Sequence, residues 1–127
     1  MFEEKITTFD ENIVAYICEK VIKDAMLLDV LYLIARSKDG ISKIDILREY
    51  QTACNVKLSS QKYRFAIDEA IAKMVGTTFI SSYREGTSEK YFLTDNGVKA
   101  VDYMGDFLEK NSELLRACRI MPKGGNE

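Results

Sequence analysis

Apolar residues recur along most of the chain at the three- and four-residue spacing that places them on one face of an α-helix. This spacing predicts a first helix over about residues 10–23, with Asp10 as its N-cap, and a second helix that begins after Asp24. The second helix is apolar around most of its circumference, which indicates a central, buried helix. We expect Gly40 to end it in the left-handed conformation of a C-cap.

Two more helices follow, with a short turn between them. Ser42 is the expected N-cap of the third helix, and Ser59 or Ser60 is the expected N-cap of the fourth, which should reach Met74. One face of the fourth helix is expected to be buried and consists of Tyr63, Ile67, Ala70, Ile71 and Met74. The opposite, exposed face consists of Gln61, Lys62, Arg64 and Phe65.

The character of the chain then changes from helix to strand. Residues 77–83 and 90–93 are rich in Thr, Ile, Phe and Tyr, and a turn-forming stretch that contains Gly86 separates them, so they predict a β-hairpin. Thr94 is the expected N-cap of a last helix, whose apolar stripe continues to Cys118. Gly105 interrupts that stripe, and we expect a kink or a close helix crossing there.

The end of the hairpin carries a specific sequence motif. Tyr91-Phe92-Leu93-Thr94-Asp95-Asn96-Gly97 fits the pattern Y-x-L-T-x-x-G, which closes the wing and opens the dimerisation helix in bacterial winged-helix regulators. Over about residues 24–110 the chain therefore resembles the MarR and PadR families. One departure is a slightly longer link, residues 74–80, between the fourth helix and the wing.

The resemblance implies a fold class and a domain organisation. The expected fold is mainly α with a small β-hairpin (α+β), a winged helix-turn-helix with extra N- and C-terminal helices. The expected single domain covers residues 1–121, with a core over 24–94 and dimerisation helices over 10–23 and 94–120. The last residues, 122–127, contain two glycines and are expected to form a disordered tail.

Composition narrows the function. Hydrophobic residues make up 46% of the chain, which is ordinary for a folded domain. The sequence contains no histidine, so it lacks the commonest general base and metal ligand, and we expect neither an enzyme nor a cofactor.

Cys18, Cys54 and Cys118 are far apart and form no CxxC pair, so we interpret them as reduced structural residues. No transmembrane stretch or secretory signal is seen, which predicts a cytoplasmic protein without a membrane partner.

Charge is distributed unevenly along the chain. The formal net charge is −2. Residues 1–40 carry five Lys and Arg against eight Asp and Glu, and residues 95–127 carry five against six. Residues 41–94 carry eight against six, so the predicted helix-turn-helix and wing are the basic part of the chain.

The start of the fourth helix is the best candidate for a binding surface. Residues 57–66 contain three basic side chains and no acidic one. Hydroxyls and a helix N-terminus suit phosphates, while Gln and Arg can contact base edges in the major groove. We expect Asp68 and Glu69, which lie deeper in the helix, to face away from the groove. The candidate DNA contacts here are Lys57, Ser59, Ser60, Gln61, Lys62 and Arg64.

The wing supplies two further candidates. Arg84 and Lys90 flank the predicted turn, and the resemblance implies that basic residues at a wing tip reach the minor groove or phosphates. Glu85 and Glu89 oppose that role.

The terminal helices predict a homodimer, because their apolar stripes need a cover and a twofold partner is the simplest one. The expected dimerisation residues are Ile13, Ile17, Val21, Val101, Met104, Leu108 and Leu115.

These observations predict a homodimeric protein that binds double-stranded DNA, and the resemblance implies a transcriptional repressor. Two alternatives stay open. One is a centromere-binding adaptor of a plasmid or phage segregation system. The other is a winged helix that contacts only proteins, which the overall acidity of the chain favours slightly.

Overall fold

The computed structural model describes residues 8–54 and 61–121. Its helices are α1 Glu11–Val21, α2 Ala25–Arg36, α3 Lys43–Cys54, α4 Gln61–Gly76 and α5 Asp95–Lys110, and its strands are β1 Ile80–Glu85 and β2 Ser88–Leu93. This is the order of elements that the sequence predicts, and it is an α+β winged-helix arrangement with an additional helix, α1, at the start.

Side-chain caps fix where the described helices begin. The carboxylate of Asp10 accepts a hydrogen bond from the backbone N–H of Ile13 at 3.0 Å, and Asp24 caps α2 in the same way. The Oγ of Ser42 caps α3, accepting from Asp45 N–H at 3.2 Å. These hydrogen bonds confirm the three predicted caps. The caps could be predicted from sequence because each bond spans only two or three residues.

The end of α2 differs from the prediction. The helix stops at Arg36, and its C-cap is Ser37 in an extended conformation. Gly40 does have a positive φ of 90°, but it lies three residues beyond the cap. A Cβ at Gly40 would lie 3.2 Å from the carbonyl oxygen of Tyr91, so the glycine serves the close approach of this loop to β2 rather than the helix end.

Helix α2 is the centre of the core. It packs against α4 and β2, while α1 packs against α5 and α3 against α4. Most of its side chains are buried, including Val30 and Leu33 with no exposed surface, which confirms the prediction of a central helix. Within residues 8–54 and 61–121, no helix has both the length and the apolar character needed to cross a membrane.

The hairpin is antiparallel, with Ile80 opposite Leu93 and Glu85 opposite Ser88. Its two-residue turn places Gly86 at a φ of 65°, a conformation that glycine adopts without strain. Ile41 extends the sheet through a single antiparallel bridge to Tyr91, with two backbone hydrogen bonds of 3.0 and 2.9 Å. This bridge ties the start of the helix-turn-helix to the wing.

The C-terminal part is not one long helix, contrary to the expected helix over 94–120. Helix α5 ends at Lys110, and a short 3-10 turn over Ser112–Leu115 follows. Gly105 lies within the continuous α5, and a Cβ there would meet no atom within 4 Å, so the expected close helix crossing is also wrong. The predicted tail, 122–127, lies outside the described residues.

Residues 116–121, which we call the strap, return to α2 and are held there by one buried carboxylate. Asp29 is 1% exposed and accepts hydrogen bonds from the hydroxyl of Tyr50 at 3.1 Å and from the backbone N–H of Arg119 at 2.8 Å. Its oxygens also accept from the N–H groups of Ile120 and Met121, at 3.1 and 2.8 Å. The strap therefore does not continue α5 as a helix. It folds back onto α2, because three of its backbone N–H groups donate to Asp29.

Burial explains the role of one cysteine. Cys18 has no exposed surface, and burial raises its pKa to about 12, so its thiol stays protonated and unreactive at neutral pH. This agrees with the interpretation of Cys18 as a structural residue. Cys118 is also buried, whereas Cys54 is half-buried at the end of α3.

Candidate nucleic-acid interface

Helix α4 presents two different faces, as its sequence predicts. Ile67, Ala70, Ile71 and Met74 are buried against the core, and Tyr63 is half-buried with its ring 5.3 Å from that of Tyr50. The exposed side begins with Gln61, Lys62, Arg64 and Phe65, and the exposed acids Asp68 and Glu69 follow them along the helix. The buried residues fix the rotation of the helix, and so they fix the outward direction of its basic side chains.

Two basic side chains near α4 form ion pairs with acids, whereas Lys62 forms none with a described residue. Lys43 Nζ lies 3.1 Å from a carboxylate oxygen of Asp68. Arg48 Nη1 lies 2.9 Å from a carboxylate oxygen of Asp45. Among the described residues, no acidic group forms an ion pair with the exposed Lys62. The net positive charge of this region is therefore concentrated at the N-terminal end of α4, where residues 61–67 include no acid.

Asp68 does not face away from this surface, contrary to the prediction. It lines the same cleft as Gln61 and Arg64, because it lies seven and four residues after them on the helix. Its charge is balanced by Lys43 at the start of α3, which the sequence alone could not place beside it. Desolvation lowers the pKa of Lys43, but the hydrogen bond to Asp68 and nearby negative groups outweigh it and raise that pKa above its ordinary value.

The cleft lies between α3 and α4 and is open to solvent, with a volume of about 380 Å³. Its lining combines polar and apolar side chains, namely Lys43, Ile44, Leu47, Gln61, Arg64, Phe65, Ile67 and Asp68. Two of the apolar ones reach the surface, since Phe65 is 66% exposed and Ile44 is 37% exposed. The exposed face of α4 is thus a mixed surface, basic with an apolar patch.

The wing is less clearly basic. Lys90 is only partly exposed, and its Nζ lies 3.5 Å from a carboxylate oxygen of Glu85. Arg84 is exposed and lies opposite Glu89 across the hairpin. Glu89 accepts a hydrogen bond from Ser82 at 2.8 Å, and this bond lowers the pKa of its carboxyl, so the wing carries a fixed negative charge beside Arg84.

Three of the candidate DNA contacts cannot be placed. Lys57, Ser59 and Ser60 lie outside the described residues, as do all the residues between α3 and α4.

Four of the seven expected dimerisation residues are buried inside their own chain. Val21, Met104, Leu108 and Leu115 are at most 3% exposed, so they have no surface to offer a partner, and the prediction is wrong for them. The reason is that α1 packs against α5, and these residues join the same core cluster as the side chains of α2. Ile13 is 44% exposed, and Ile17 and Val101 are half-buried, so these three keep some surface.

Four apolar residues outside the expected dimerisation set also reach the surface of the terminal helices. They are Tyr16 on α1 and Val98, Tyr103 and Phe107 on α5, with exposures between 38% and 63%. Tyr103 and Phe107 are one helical turn apart, so they share a face. Tyr16, Tyr103 and Phe107 lie off the predicted apolar stripes, which is the sequence signal for their exposure, whereas Val98 was expected in the stripe and is 48% exposed.

The Y-x-L-T-x-x-G motif is explained by the junction of the wing with α5. Thr94 caps α5 by accepting from Gly97 N–H at 3.1 Å, and its own hydroxyl donates to the carbonyl oxygen of Thr78. At Gly97 a Cβ would lie 2.0 Å from the carbonyl oxygen of Phe79, so only glycine fits. Asn96, which is fully buried, holds Thr78 in a left-handed conformation through a 2.8 Å hydrogen bond. These residues serve the fold rather than a binding site.

Comparisons with known proteins agree with this architecture. No protein-family model matches the chain, and no curated protein matches it in sequence. Among solved structures, it is similar to that of TubR, a protein of type III plasmid segregation, with a TM-score of 0.57 and 18% sequence identity. The similarity covers 83% of this chain and 94% of TubR. It supports the winged-helix fold, and the resemblance to MarR and PadR regulators holds at the level of that fold.

Proposed function

We propose that this chain binds duplex DNA through the N-terminal half of α4. The observation that carries the proposal is the pair of exposed basic side chains, Lys62 and Arg64, near the start of the second helix of a helix-turn-helix. Asp68 shares the cleft with Arg64, but its charge is balanced by Lys43. In such folds this helix enters the major groove and its N-terminal residues contact base edges. The similarity to TubR, a protein of type III plasmid segregation, supports this fold.

The chemistry of the side chains suggests their roles. Lys62 is a compact positive charge without a described ion pair, which suits a phosphate contact. Arg64 and Gln61 can each form two parallel hydrogen bonds with a base, Arg with guanine and Gln with adenine. Lys57, Ser59 and Ser60 remain candidates for phosphate contacts just before the described part of α4. Arg84 is the stronger candidate of the wing, because Lys90 is already paired with Glu85.

We further propose that two copies associate through the exposed side of α1 and α5. Tyr103 and Phe107, with Tyr16, present aromatic surface that the chain itself leaves uncovered. Aromatic residues are enriched in such interfaces. A twofold dimer would present two α4 helices to successive major grooves, about 34 Å apart.

Two finer roles remain candidates for such a dimer. One is a transcriptional repressor of the MarR or PadR kind, located in the cytoplasm, which would occlude an operator. The other is the DNA-binding component of a segregation system, which the similarity to TubR favours. Recovery of bound genomic or plasmid fragments separates them: a single inverted repeat at a promoter supports the repressor, whereas a cluster of repeats supports segregation.

The direct test is a fluorescence-anisotropy titration of labelled duplexes at about 50 and 200 mM salt. We expect affinity to fall steeply with salt, since phosphate contacts release counterions, and we expect Lys62→Ala and Arg64→Ala each to weaken binding by about tenfold. Lys73→Ala is the matched control on the same helix, because Lys73 lies near the carboxylates of Asp24 and Glu69. The control should bind like the wild type.

Absence of binding at both salt concentrations would contradict the proposal. Equal losses in Lys62→Ala and Lys73→Ala would contradict the assigned surface, because they would indicate only a general effect of net charge. If no DNA binding is found, a winged helix that contacts only proteins becomes the leading function. Capture of a defined protein partner would then be the next measurement.

A further inference from the structure

Phe65 is the most exposed large apolar side chain of the described residues, at 66%, and it lies in the middle of the proposed DNA-binding surface. A phenyl ring in this position contributes little to the core of its own chain, and in water it leaves apolar area uncovered. It is also not isolated, because Ile44 of α3 reaches the surface in the same cleft. The apolar surface formed by Phe65 and Ile44 would therefore be covered favourably by an apolar group of a partner.

The surroundings of Phe65 restrict what that partner is. Gln61 lies four residues before it on the same face, and Arg64 lines the same cleft. The cleft also contains Asp68, whose charge is balanced by Lys43. We therefore expect a ligand that reaches Phe65 to offer hydrogen-bonding groups for Gln61 and Arg64 together with a small apolar group. In the major groove of DNA, that group is the C5-methyl of thymine.

We infer that Phe65, with Ile44 beside it, contacts a thymine methyl group and makes A·T pairs preferred at that position of the site. This inference rests on the proposed DNA binding and adds the base that α4 prefers. Gln61 is consistent with it, since glutamine can pair with adenine through two hydrogen bonds on the same base pair or its neighbour. Phe65 then determines specificity, while Lys62 contributes affinity without regard to sequence.

The test compares thymine with uracil, which pairs identically but lacks the methyl group. A tight-binding duplex is first selected from a random pool with the wild-type protein. Each thymine is then replaced singly by uracil, and affinity is measured for the wild type, for Phe65→Ala and for Lys62→Ala. We expect the wild type to lose about fourfold at one or two positions in each half of the site. Phe65→Ala should not distinguish thymine from uracil at those positions, whereas Lys62→Ala should retain the full distinction.

Several results would overturn the inference. If the wild type binds thymine and uracil duplexes equally at every position, the inference fails while DNA binding stands. If Phe65→Ala still distinguishes the two bases, another residue reads the methyl group. If no duplex is selected at all, the inference fails together with the proposed function.

Two controls address the remaining explanations. Thermal unfolding of Phe65→Ala should match that of the wild type, since the side chain is exposed. Light scattering should give both proteins the same mass. A change in mass would assign Phe65 to a protein interface and would overturn the inference.

Discussion

At the scale of single residues, Asp29 has a structural role that its position in the sequence does not reveal. It stands within the most apolar helix of the chain, where a carboxylate is costly to bury unless it is fully hydrogen-bonded. Four donors meet this need, three of them successive backbone N–H groups of the strap. The residue therefore binds the chain's own C-terminal segment rather than a ligand.

We expect Asp29→Ala to lower the free energy of unfolding by about 3 kcal/mol or more, because it leaves the donors of the strap and of Tyr50 without an acceptor. Tyr50→Phe removes one donor and keeps the strap in place, so it should cost about 1 kcal/mol. Urea unfolding followed by circular dichroism measures both. An Asp29→Ala protein within about 0.5 kcal/mol of the wild type would show that the strap adds little to stability.

The capping residues and Asp29 show what a sequence can reveal at this scale. Asp10, Asp24, Ser42 and Thr94 were identified because each one bonds a backbone N–H within three residues, so the signal is local. The bonds of Asp29 span about ninety residues. No local pattern predicts such a pairing, and for the same reason the strap was expected to be helical.

At the scale of elements, the junction between the wing and α5 requires a residue without a side chain at position 97. Gly97 allows the first turn of α5 to pass against the backbone of Phe79. The junction also sets the position of the hairpin relative to the helices, because Thr94 N–H donates to the carbonyl of the same Phe79 at 3.0 Å.

We expect Gly97→Ala to lower the free energy of unfolding by at least about 2 kcal/mol, since the added methyl group would overlap a backbone oxygen. Gly105→Ala is the matched control in the same helix, where a Cβ meets no neighbour. It should raise stability by about 0.5–1 kcal/mol through helix propensity and reduced freedom of the unfolded chain. Thermal or urea unfolding checks both, and equal effects of the two substitutions would contradict the close approach at Gly97.

The elements of the binding surface were predictable to different degrees. The exposed face of α4 followed from its apolar spacing, because Ile67, Ala70 and Ile71 have to face the core. The ion pair between Lys43 and Asp68 did not, because it depends on how closely α3 crosses α4. Charge counted along the sequence therefore overestimates the positive surface of α3 and the wing, because Lys43, Arg48 and Lys90 are paired with acids.

At the scale of the whole molecule, one chain covers more of its apolar surface than the sequence suggests. Helices α1 and α5 pack against each other, α5 also lines a cavity with α2, and their stripes belong to one core cluster without a second copy. The surface left for a partner is smaller and more aromatic, and it centres on Tyr103 and Phe107.

We expect the protein to have a mass in solution of about twice the 14.5 kDa of one chain, as measured by light scattering after size-exclusion chromatography. Phe107→Glu should shift it towards the single-chain mass, because a carboxylate in an apolar interface is left without a partner. Val75→Glu, at an exposed apolar residue of α4, should leave the mass unchanged. A wild-type protein with the single-chain mass would contradict the proposed dimer.

The strap also has a consequence for how the protein is made. Ribosomes synthesise Asp29 early and the strap late, so α2 emerges with an acidic side chain whose backbone partners do not yet exist. Burying that carboxylate early would be unfavourable, and we therefore expect α2 to stay exposed until residues 119–121 have left the ribosome. A nascent chain halted before Arg119 should remain sensitive to protease, and completion of the core should follow the exit of residues 119–121 from the ribosome.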